Sequence, residues 1–461
     1  MWPQEADWVN KMSQTRELAL DILVDIDKKK SLSHLAIADT LRNYQFMEKA
    51  DRAFLTRLCQ GTIENQIQID HIINQFSKVK VNKCKPVIRA ILRMGVYQLK
   101  FMDHVPDSAV CNEAVKLAKK RGFKNLTGFV NGVLRNIARN LDRISYPNEE
   151  EKPVEALSIR YSMPEWLVKE FLETYDLKTV KAMLESFLSV SGTTIRAQLT
   201  NGSKEELKQS LESQGVLVRE GAFMEEAFKI SGYNYLEQLD AFGEGRFQVQ
   251  DESSMLVAQI ADPQEGMLIV DVCSAPGGKS LHVADRLRGS GKVISRDLTV
   301  YKVDLIEENR QRLRCENMEA EVFDALDFDA SLEGKADIVL ADLPCSGLGI
   351  IGKKQDIKYN VTKEGILELA ELQKQILSVV TRYLKPDGIL IYSTCTIRKE
   401  ENIENVQWMK KNLSMELVGF SSLMPEKLSI ETAKDGYIQM LPGIHPCDGF
   451  FIAKLRRKTD A

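Results

Sequence analysis

Residues 267–280 read MLIVDVCSAPGGKS, and the helical pattern KSLHVADRL follows directly. An apolar run bounded by Gly266 and Pro276 predicts a short buried strand that turns at once into a helix. Outward from this point the rhythm repeats. KVISRD (292–297), AEVFDAL (320–326), ADIVLAD (336–342), GILIYSTC (388–395) and GFFIAKL (449–455) read as strands. VDLIEENRQRL and ILELAELQKQILSVVTRYL read as helices between them. Apolar strands alternating with helices predict a mostly parallel sheet covered on both faces. Ligands of such sheets bind beyond the carboxyl ends of the strands.

Those ends carry the unusual residues. The first runs from Asp271 into Cys273, Ser274, Ala275, Pro276, Gly277, Gly278 and Lys279, and the next strands finish in Arg296-Asp297, in Asp324, in Asp342-Leu-Pro-Cys345 and in Ser393-Thr-Cys395. One acid at a strand end serves as a helix cap as readily as it binds a ligand. Four successive strands ending in Asp point instead to carboxylates that accept hydrogen bonds from ribose hydroxyls or an adenine amine. The Gly277-Gly278 pair lets backbone approach a ligand closely. Neither Gly278-Lys279-Ser280 nor Gly291-Lys292 completes a phosphate-binding P-loop: the first glycine of that motif would fall at Cys273 or Arg286. The dinucleotide fingerprint is absent as well. An acidic site with a tight glycine turn suits a nucleoside that carries a positive charge, and S-adenosylmethionine (AdoMet), with its sulfonium and free ribose hydroxyls, is such a ligand.

Of the eight cysteines, Cys345 and Cys395 end neighbouring predicted strands. Burial as small apolar side chains is the default for cysteine. A strand end that faces a cleft argues otherwise: a thiolate there can add to an electron-poor carbon, provided its pKa is lowered. Lys279 is a candidate cation for that task, the alternative being a solvated side chain. No cysteine pair has zinc-ligand spacing, so no metal is expected.

The front half is different. Residues 14–140 read as about five helices, among them RELALDILVDI, DRAFLTRLCQGTIENQIQIDHIINQF, VIRAILRMGVYQLKFM, SAVCNEAVKLAKKRG and LTGFVNGVLRNIARN. Asp107 and Ser108 read as N-terminal caps and Gly122 as a stop. Residues 1–145 hold 24 Lys/Arg and 15 Asp/Glu, a net +9, whereas the whole chain is −4. A basic front module on an acidic body predicts an anionic partner for the front. Its basic clusters, Lys78 to Arg89 and Lys119 to Lys124, read equally as a solvated face. Residues 145–155 form a polar linker, and 156–243 a small α+β unit. No run reaches the roughly 18 apolar residues of a membrane helix. The amino terminus, MWPQEADWVNK, lacks the apolar stretch of a signal peptide, so a reduced, cytoplasmic protein is expected.

CSAPGGKS, DLPCSGLG and YSTCTI resemble three motifs of the RNA 5-methylcytosine methyltransferases, often called the NOL1/NOP2/Sun family. GRFQVQDESSM and DGFFIAKL resemble the helix before the cofactor strand and the last strand of that family. DRAFLTRLCQGTIE, LRMGVYQL, VPDSAVCNEAVKLAKK and GFVNGVLRNIAR resemble a NusB-like RNA-binding domain. The resemblance runs from about residue 14 to 457 and implies a multidomain chain. Its parts would be an all-α NusB-like bundle over 1–144, a small α+β RNA-binding or linker domain over 145–243, and an α/β Rossmann-like class I AdoMet methyltransferase domain over 244–461.

Carried over by motif position, the family implies Cys395 as the nucleophile toward C6 of cytosine, Cys345 as the group that assists loss of the C5 proton and release, and Asp342 at the cytosine edge. AdoMet would be held by residues 273–279, Asp297, Asp324 and Asp342. The implied partner is small-subunit ribosomal RNA, methylated at cytosine 967 of 16S rRNA, by a monomer with no membrane attachment. A tRNA or another rRNA site as target, or a non-catalytic RNA-binding assembly factor that keeps the fold, are the alternatives. In 350–360, IIGKKQDIKYN, Lys353, Lys354 and Gln355-Asp356 replace an Arg and a Pro-Asp pair, which weakens substrate contacts there. The first eleven residues match nothing in the family, and Met12 is the more natural start.

Overall fold

Helical spacing of apolar residues builds the front of the molecule. In the helix Thr127–Arg139, Val130, Val133, Leu134 and Ile137 are buried, the i, i+3, i+4, i+7 face of an amphipathic helix. The computed structural model describes residues 3–29, 32–44, 47–189 and 192–458; Met1 and Trp2 lie outside them. By internal contacts the chain divides into two units, Met1–Leu188 with Ile351–Asn360, and Ser189–Ile350 with Val361–Ala461.

In the first unit the described residues form α1 (Pro3–Lys29), α2 (Ser33–Asn43), α3 (Lys49–Glu64), α4 (Gln66–Phe76), α5 (Pro86–Phe101), α6 (Asp107–Lys120) and α7 (Thr127–Arg139), followed by α8 (Pro153–Arg160), α9 (Glu165–Thr174) and α10 (Leu177–Phe187). Seven helices thus stand where about five are expected. One reason is Asn65: with φ −100° and ψ 17° it breaks a single predicted helix into α3 and α4. Its side-chain amide donates to the Gly61 carbonyl at 2.9 Å, an oxygen that also takes the Asn65 N–H at 3.0 Å. Helix α6 begins at Asp107 with Pro106 before it and no side-chain cap, so the expected capping by Asp107 or Ser108 does not occur. Gly122, at φ +85°, does follow its end. Helix α5 is buried on most of its surface and packs against α1, α3, α4, α6 and α7, which makes it the axis of the bundle.

The segment Ile351–Asn360 joins this unit from far along the chain. Asp356 accepts from the Ser33 hydroxyl at 2.6 Å and the Ser33 N–H at 3.2 Å, at the start of α2. Lys358 is buried and donates to the Glu64 carbonyl at 2.8 Å, at the end of α3. Tyr359 packs on the helical core. Two free helix ends are therefore satisfied by one strap.

The second unit holds two sheets. A four-stranded antiparallel sheet contains β1 (Thr193–Ala197), β2 (Leu217–Glu220), β3 (Ala227–Ser231) and β4 (Phe247–Val249) in the order β2-β3-β1-β4. The larger sheet contains β5 (Leu268–Asp271), β6 (Lys292–Asp297), β7 (Met318–Val322), β8 (Ala336–Asp342), β9 (Leu384–Thr394), β10 (Met415–Leu417), β11 (Tyr437–Met440) and β12 (Phe450–Arg457). Its order is β10-β12-β9-β8-β5-β6-β7, with β11 also on β12. Strands β9, β8, β5, β6 and β7 run parallel, and β12 pairs with β9 in the opposite sense. Apolar layers cover both faces, as the near-continuous apolar strands require. Strand order reverses between β5 and β8, so the loops that leave these two strands diverge and open a crevice. Strand β7 ends at Val322, which leaves Asp324 in the turn beyond it rather than within the strand.

Candidate active site

The loop after β5 forms the floor of the crevice. Gly277 precedes the helix Gly278–Arg286 at φ +97°, a left-handed conformation that a residue with a Cβ adopts only at a cost. The Ser274 N–H donates to the Arg296 carbonyl at 2.9 Å, and the Gly277 N–H to the Ser274 carbonyl at 2.7 Å. Ala275 donates its N–H to Asp297 Oδ2 at 2.9 Å. The loop is therefore fastened to β6 at two points. Asp297 is buried and also takes the Leu298 N–H and the Lys302 ammonium, each at 2.8 Å.

Two further carboxylates stand at or just beyond the ends of β5 and β7. Asp271 is fully buried; its Oδ2 accepts from Ser280 at 2.5 Å, and its Oδ1 has no partner. Burial pushes its pKa up to about 6, although the Ser280 hydrogen bond pulls the other way. Asp324 accepts the Leu326 N–H at 2.9 Å and makes no bond to the other site residues among the described ones. Cys273 is half-buried, and burial together with Asp271 and Asp297 raises its thiol pKa, which leaves it protonated.

Across the crevice, Lys279 Nζ reaches Asp342 Oδ2 at 2.6 Å and lies 5.2 Å from the centre of the Phe450 ring. Ser393 donates to Asp342 Oδ1 at 2.8 Å. Burial opposes the charge on Lys279, but Asp342 and Asp271 outweigh it and the pKa is raised. Lys279 is thus an ammonium bound to a carboxylate, with the sulfur of Cys395 inside its field.

Cys345 Sγ lies 3.3 Å from Cys395 Sγ, and both thiols are free and half-buried. Parallel pairing carries them there. Asp342 is opposite Ser393 in the β8–β9 register, so the two cysteines leave adjacent strand ends together. The hydrogen bond with Cys395, burial and the nearby charges of Cys395 and Glu401 all raise the Cys345 pKa well above the ordinary thiol value. Gly349 closes the loop: its N–H donates to the Cys395 carbonyl at 3.0 Å, and a Cβ on it would come within 1.9 Å of the Gly449 oxygen.

Comparison with known proteins bears directly on this arrangement. Residues 258–456 match the family described as 16S rRNA methyltransferase RsmB/F, and residues 13–139 match the NusB family. The probable ribosomal RNA small subunit methyltransferase B of Bacillus subtilis (strain 168) is 34% identical over 456 residues, covering 97% of this chain and 100% of that protein. The chain belongs to the ribosomal RNA small subunit methyltransferase B family. A ribosomal RNA small subunit methyltransferase B of Shewanella oneidensis is 30% identical over 448 residues, covering 96% and 99%. Among solved structures, that of PH0851 aligns with TM-score 0.79 at 25% identity over 95% of this chain and 98% of that one. Membership makes the helical front a NusB-like domain, the larger sheet a Rossmann-like methyltransferase domain and the protein an AdoMet-dependent RNA methyltransferase.

The crevice of this RsmB-family chain fits AdoMet on its own chemistry. Asp297 and Asp324 are the acceptors available to ribose hydroxyls and an adenine amine. Asp271 and Asp342 supply negative charge beside the glycine turn. An unpartnered buried carboxylate oxygen such as Asp271 Oδ1 is costly, and a neighbouring cation offsets that cost. Sequence reading did not single out Gln373 or Glu401, which lie beneath the two cysteines. Phe450, in the DGFF stretch, was legible only as part of the last strand. Among the described residues no three His, Cys, Asp or Glu side chains are grouped to hold a metal ion, and no helix is long and apolar enough to cross a membrane.

Proposed function

We propose that this protein methylates C5 of a cytosine in small-subunit ribosomal RNA, cytosine 967 of 16S rRNA, through a transient bond between Cys395 and C6 of the base. The observation that carries the reading is the 3.3 Å approach of two free sulfurs at the ends of β8 and β9, beside the Lys279–Asp342 pair. A structural role would leave such thiols buried and inert; both are only half-buried.

Residues 273–279 with Asp297, Asp324 and Asp342 hold AdoMet, which supplies an electrophilic methyl group when bound. At 3.3 Å the Cys345 thiol is close enough to donate a hydrogen bond to the Cys395 sulfur, a contact that would favour the Cys395 thiolate. The thiolate of Cys395 forms a bond to C6 of cytosine, and the electron pair of the C5–C6 double bond moves to C5; bound AdoMet would give its methyl group to that carbon, its S–CH3 bond breaking so that the sulfonium leaves as a neutral thioether. Asp342 keeps a lone pair on each oxygen beyond those used by Lys279 and Ser393, enough to accept from the exocyclic amine of the base.

Release uses the same pair of sulfurs in reverse. Once Cys395 is bonded to carbon, the largest influence holding the Cys345 proton is gone. Cys345 loses its proton to solvent and takes the proton from C5. That electron pair restores the C5–C6 double bond while the C6–sulfur bond breaks, and Cys395 leaves as thiolate. The base must leave its stack to enter the crevice, at a cost of a few kcal/mol that is smaller in a loop.

On the helical unit, Lys78, Lys80, Lys83 and Lys85 are exposed and make no ion pair among the described residues. Arg89, Lys120 and Arg121 are neutralised by Asp27, Glu17 and Asp21. The first cluster is the better RNA track. We take the enzyme to act as a cytoplasmic monomer, with domains divided as the sequence predicts. Labelled AdoMet with small-subunit RNA from a strain lacking the modification, followed by bisulfite mapping, tests the whole: one protected cytosine at the proposed site is expected. Binding without incorporation would favour an assembly factor, and a protected cytosine elsewhere a different target.

A further inference from the structure

Beneath the two cysteines lies a buried carboxylate that the reaction scheme does not use. Glu401 is fully buried between β9 and the helix Ile403–Asn412. Its Oε1 accepts the Ser346 N–H at 2.8 Å, and its Oε2 accepts the Ser346 hydroxyl at 2.5 Å. The Ser346 and Thr396 hydroxyls are 2.7 Å apart. Ser346 follows Cys345 and Thr396 follows Cys395, so one carboxylate gathers the residue after each sulfur. Gln373 braces the same point: its amide donates to the Pro344 carbonyl at 2.8 Å and to Glu401 Oε1 at 3.2 Å. Gln373 is itself held by Tyr392 and Asn405.

Burying a carboxylate costs several kcal/mol unless its hydrogen bonds are well made. Here burial raises the pKa of Glu401 and the Ser346 bonds oppose the rise. An apolar residue would fill the same space without that cost, which leaves the grip on Ser346 as the reason for a carboxylate. The two loops differ in how firmly they are otherwise held. Cys395 directly follows β9 and its carbonyl is engaged by the Gly349 N–H. Cys345 lies three residues beyond β8, and the residues beside it are fixed by Glu401 and Gln373.

We propose that Glu401 is a positioning residue for methyl transfer, which clamps the Cys345 loop through Ser346 and ties it to the Cys395 loop through Thr396. This rests on the reading of Cys395 as the attacking sulfur and Cys345 as the releasing one. Loss of the clamp frees the Cys345 loop more than the Cys395 loop. Attack then continues while release fails, and the enzyme–RNA bond persists.

The test compares Glu401→Ala, Glu401→Gln and Cys345→Ala in the full chain with RNA and AdoMet, reading turnover, AdoMet affinity and RNA that stays attached on a denaturing gel. Glu401→Ala is expected to bind AdoMet within about threefold of wild type, to lose about 100-fold in turnover and to accumulate attached RNA, as Cys345→Ala does. Glu401→Gln keeps an acceptor for the Ser346 N–H and a donor toward its hydroxyl, and is expected to recover most of the turnover. Should Glu401→Ala not fold, Ser346→Ala removes the hydroxyl between Glu401 and Thr396 and is expected to accumulate attached RNA in the same way. Wild-type turnover in the folded variant, or lost turnover with no attached RNA while Cys345→Ala shows it, overturns the role of Glu401. Absence of attached RNA in Cys345→Ala overturns the underlying reading instead.

Discussion

Asp342 and Ser393 face each other across the β8–β9 pair, joined by a 2.8 Å hydrogen bond from the hydroxyl to the carboxylate. That register brings the next turn of each strand to the same spot, and so brings Cys345 to Cys395. The two sulfurs are then distinguished by what surrounds them. Cys395→Ala is expected to abolish both methyl transfer and attached RNA, because no sulfur remains to reach C6. Cys345→Ala is expected to retain attachment and lose turnover. A denaturing gel with labelled RNA checks both, and exchange of the two outcomes would make Cys345 the nucleophile.

Asp271 gives a pH test. Its pKa rises from 3.8 unfolded to about 6 folded, so between these values the folded state binds more protons. Stability therefore falls as pH rises through that window, by about 3 kcal/mol once the group is ionised. Asp271→Asn is expected to raise the melting temperature at pH 7.5 and to flatten its dependence between pH 4 and 6. It is also expected to weaken AdoMet binding, since a negative charge at the end of β5, beside the proposed cofactor loop, is lost. Melting curves across pH and a binding titration read the two effects separately.

How much of this was legible in the sequence depended on how local the cause was. Strands β6 and β8 begin and end where their apolar runs do, because each run is buried on both faces and flanked by polar residues. Strands β3, β10 and β11 did not stand out: AFKIS, MEL and YIQM are short and take their pairing from neighbours distant in the chain. The β5 turn was readable from its glycines. Glu401 was not, because RKEEN reads as a solvated charged run and only tertiary packing buries one of its two glutamates. The same holds for Asp356 and Lys358, whose partners are some 300 residues earlier.

Lys358 offers a second pH test of opposite sign. Burial lowers its pKa from 10.5 to about 7, with Glu64 opposing the fall. Between those values the unfolded state binds more protons, so stability rises with pH from about 7 toward 10. Lys358→Met is expected to stabilise the protein at pH 7 and to remove this slope. The Glu64 carbonyl is not left unpaired, since the Tyr359 hydroxyl also approaches it at 3.4 Å. Chemical denaturation at several pH values reads the change.

The exposed lysines of the helical unit predict a salt signature. Replacing Lys78, Lys80, Lys83 and Lys85 with Gln is expected to weaken RNA binding and to lower the slope of log affinity against log salt by about 3. Filter binding from 50 to 200 mM salt reads it. Replacing Lys120 and Arg121, which already face Glu17 and Asp21, is expected to change that slope by less than half as much.

The strap Ile351–Asn360 has a consequence for how the chain is made. Helices α1 to α10 have left the ribosome long before residue 356 is translated, and until then the start of α2 and the end of α3 lack the groups that finish them. The nascent bundle must wait, unfinished, for a piece encoded near the other end of the message. A catalytic half expressed from residue 189 onward would carry that piece with nothing to receive it, leaving Tyr359 and its neighbours in water.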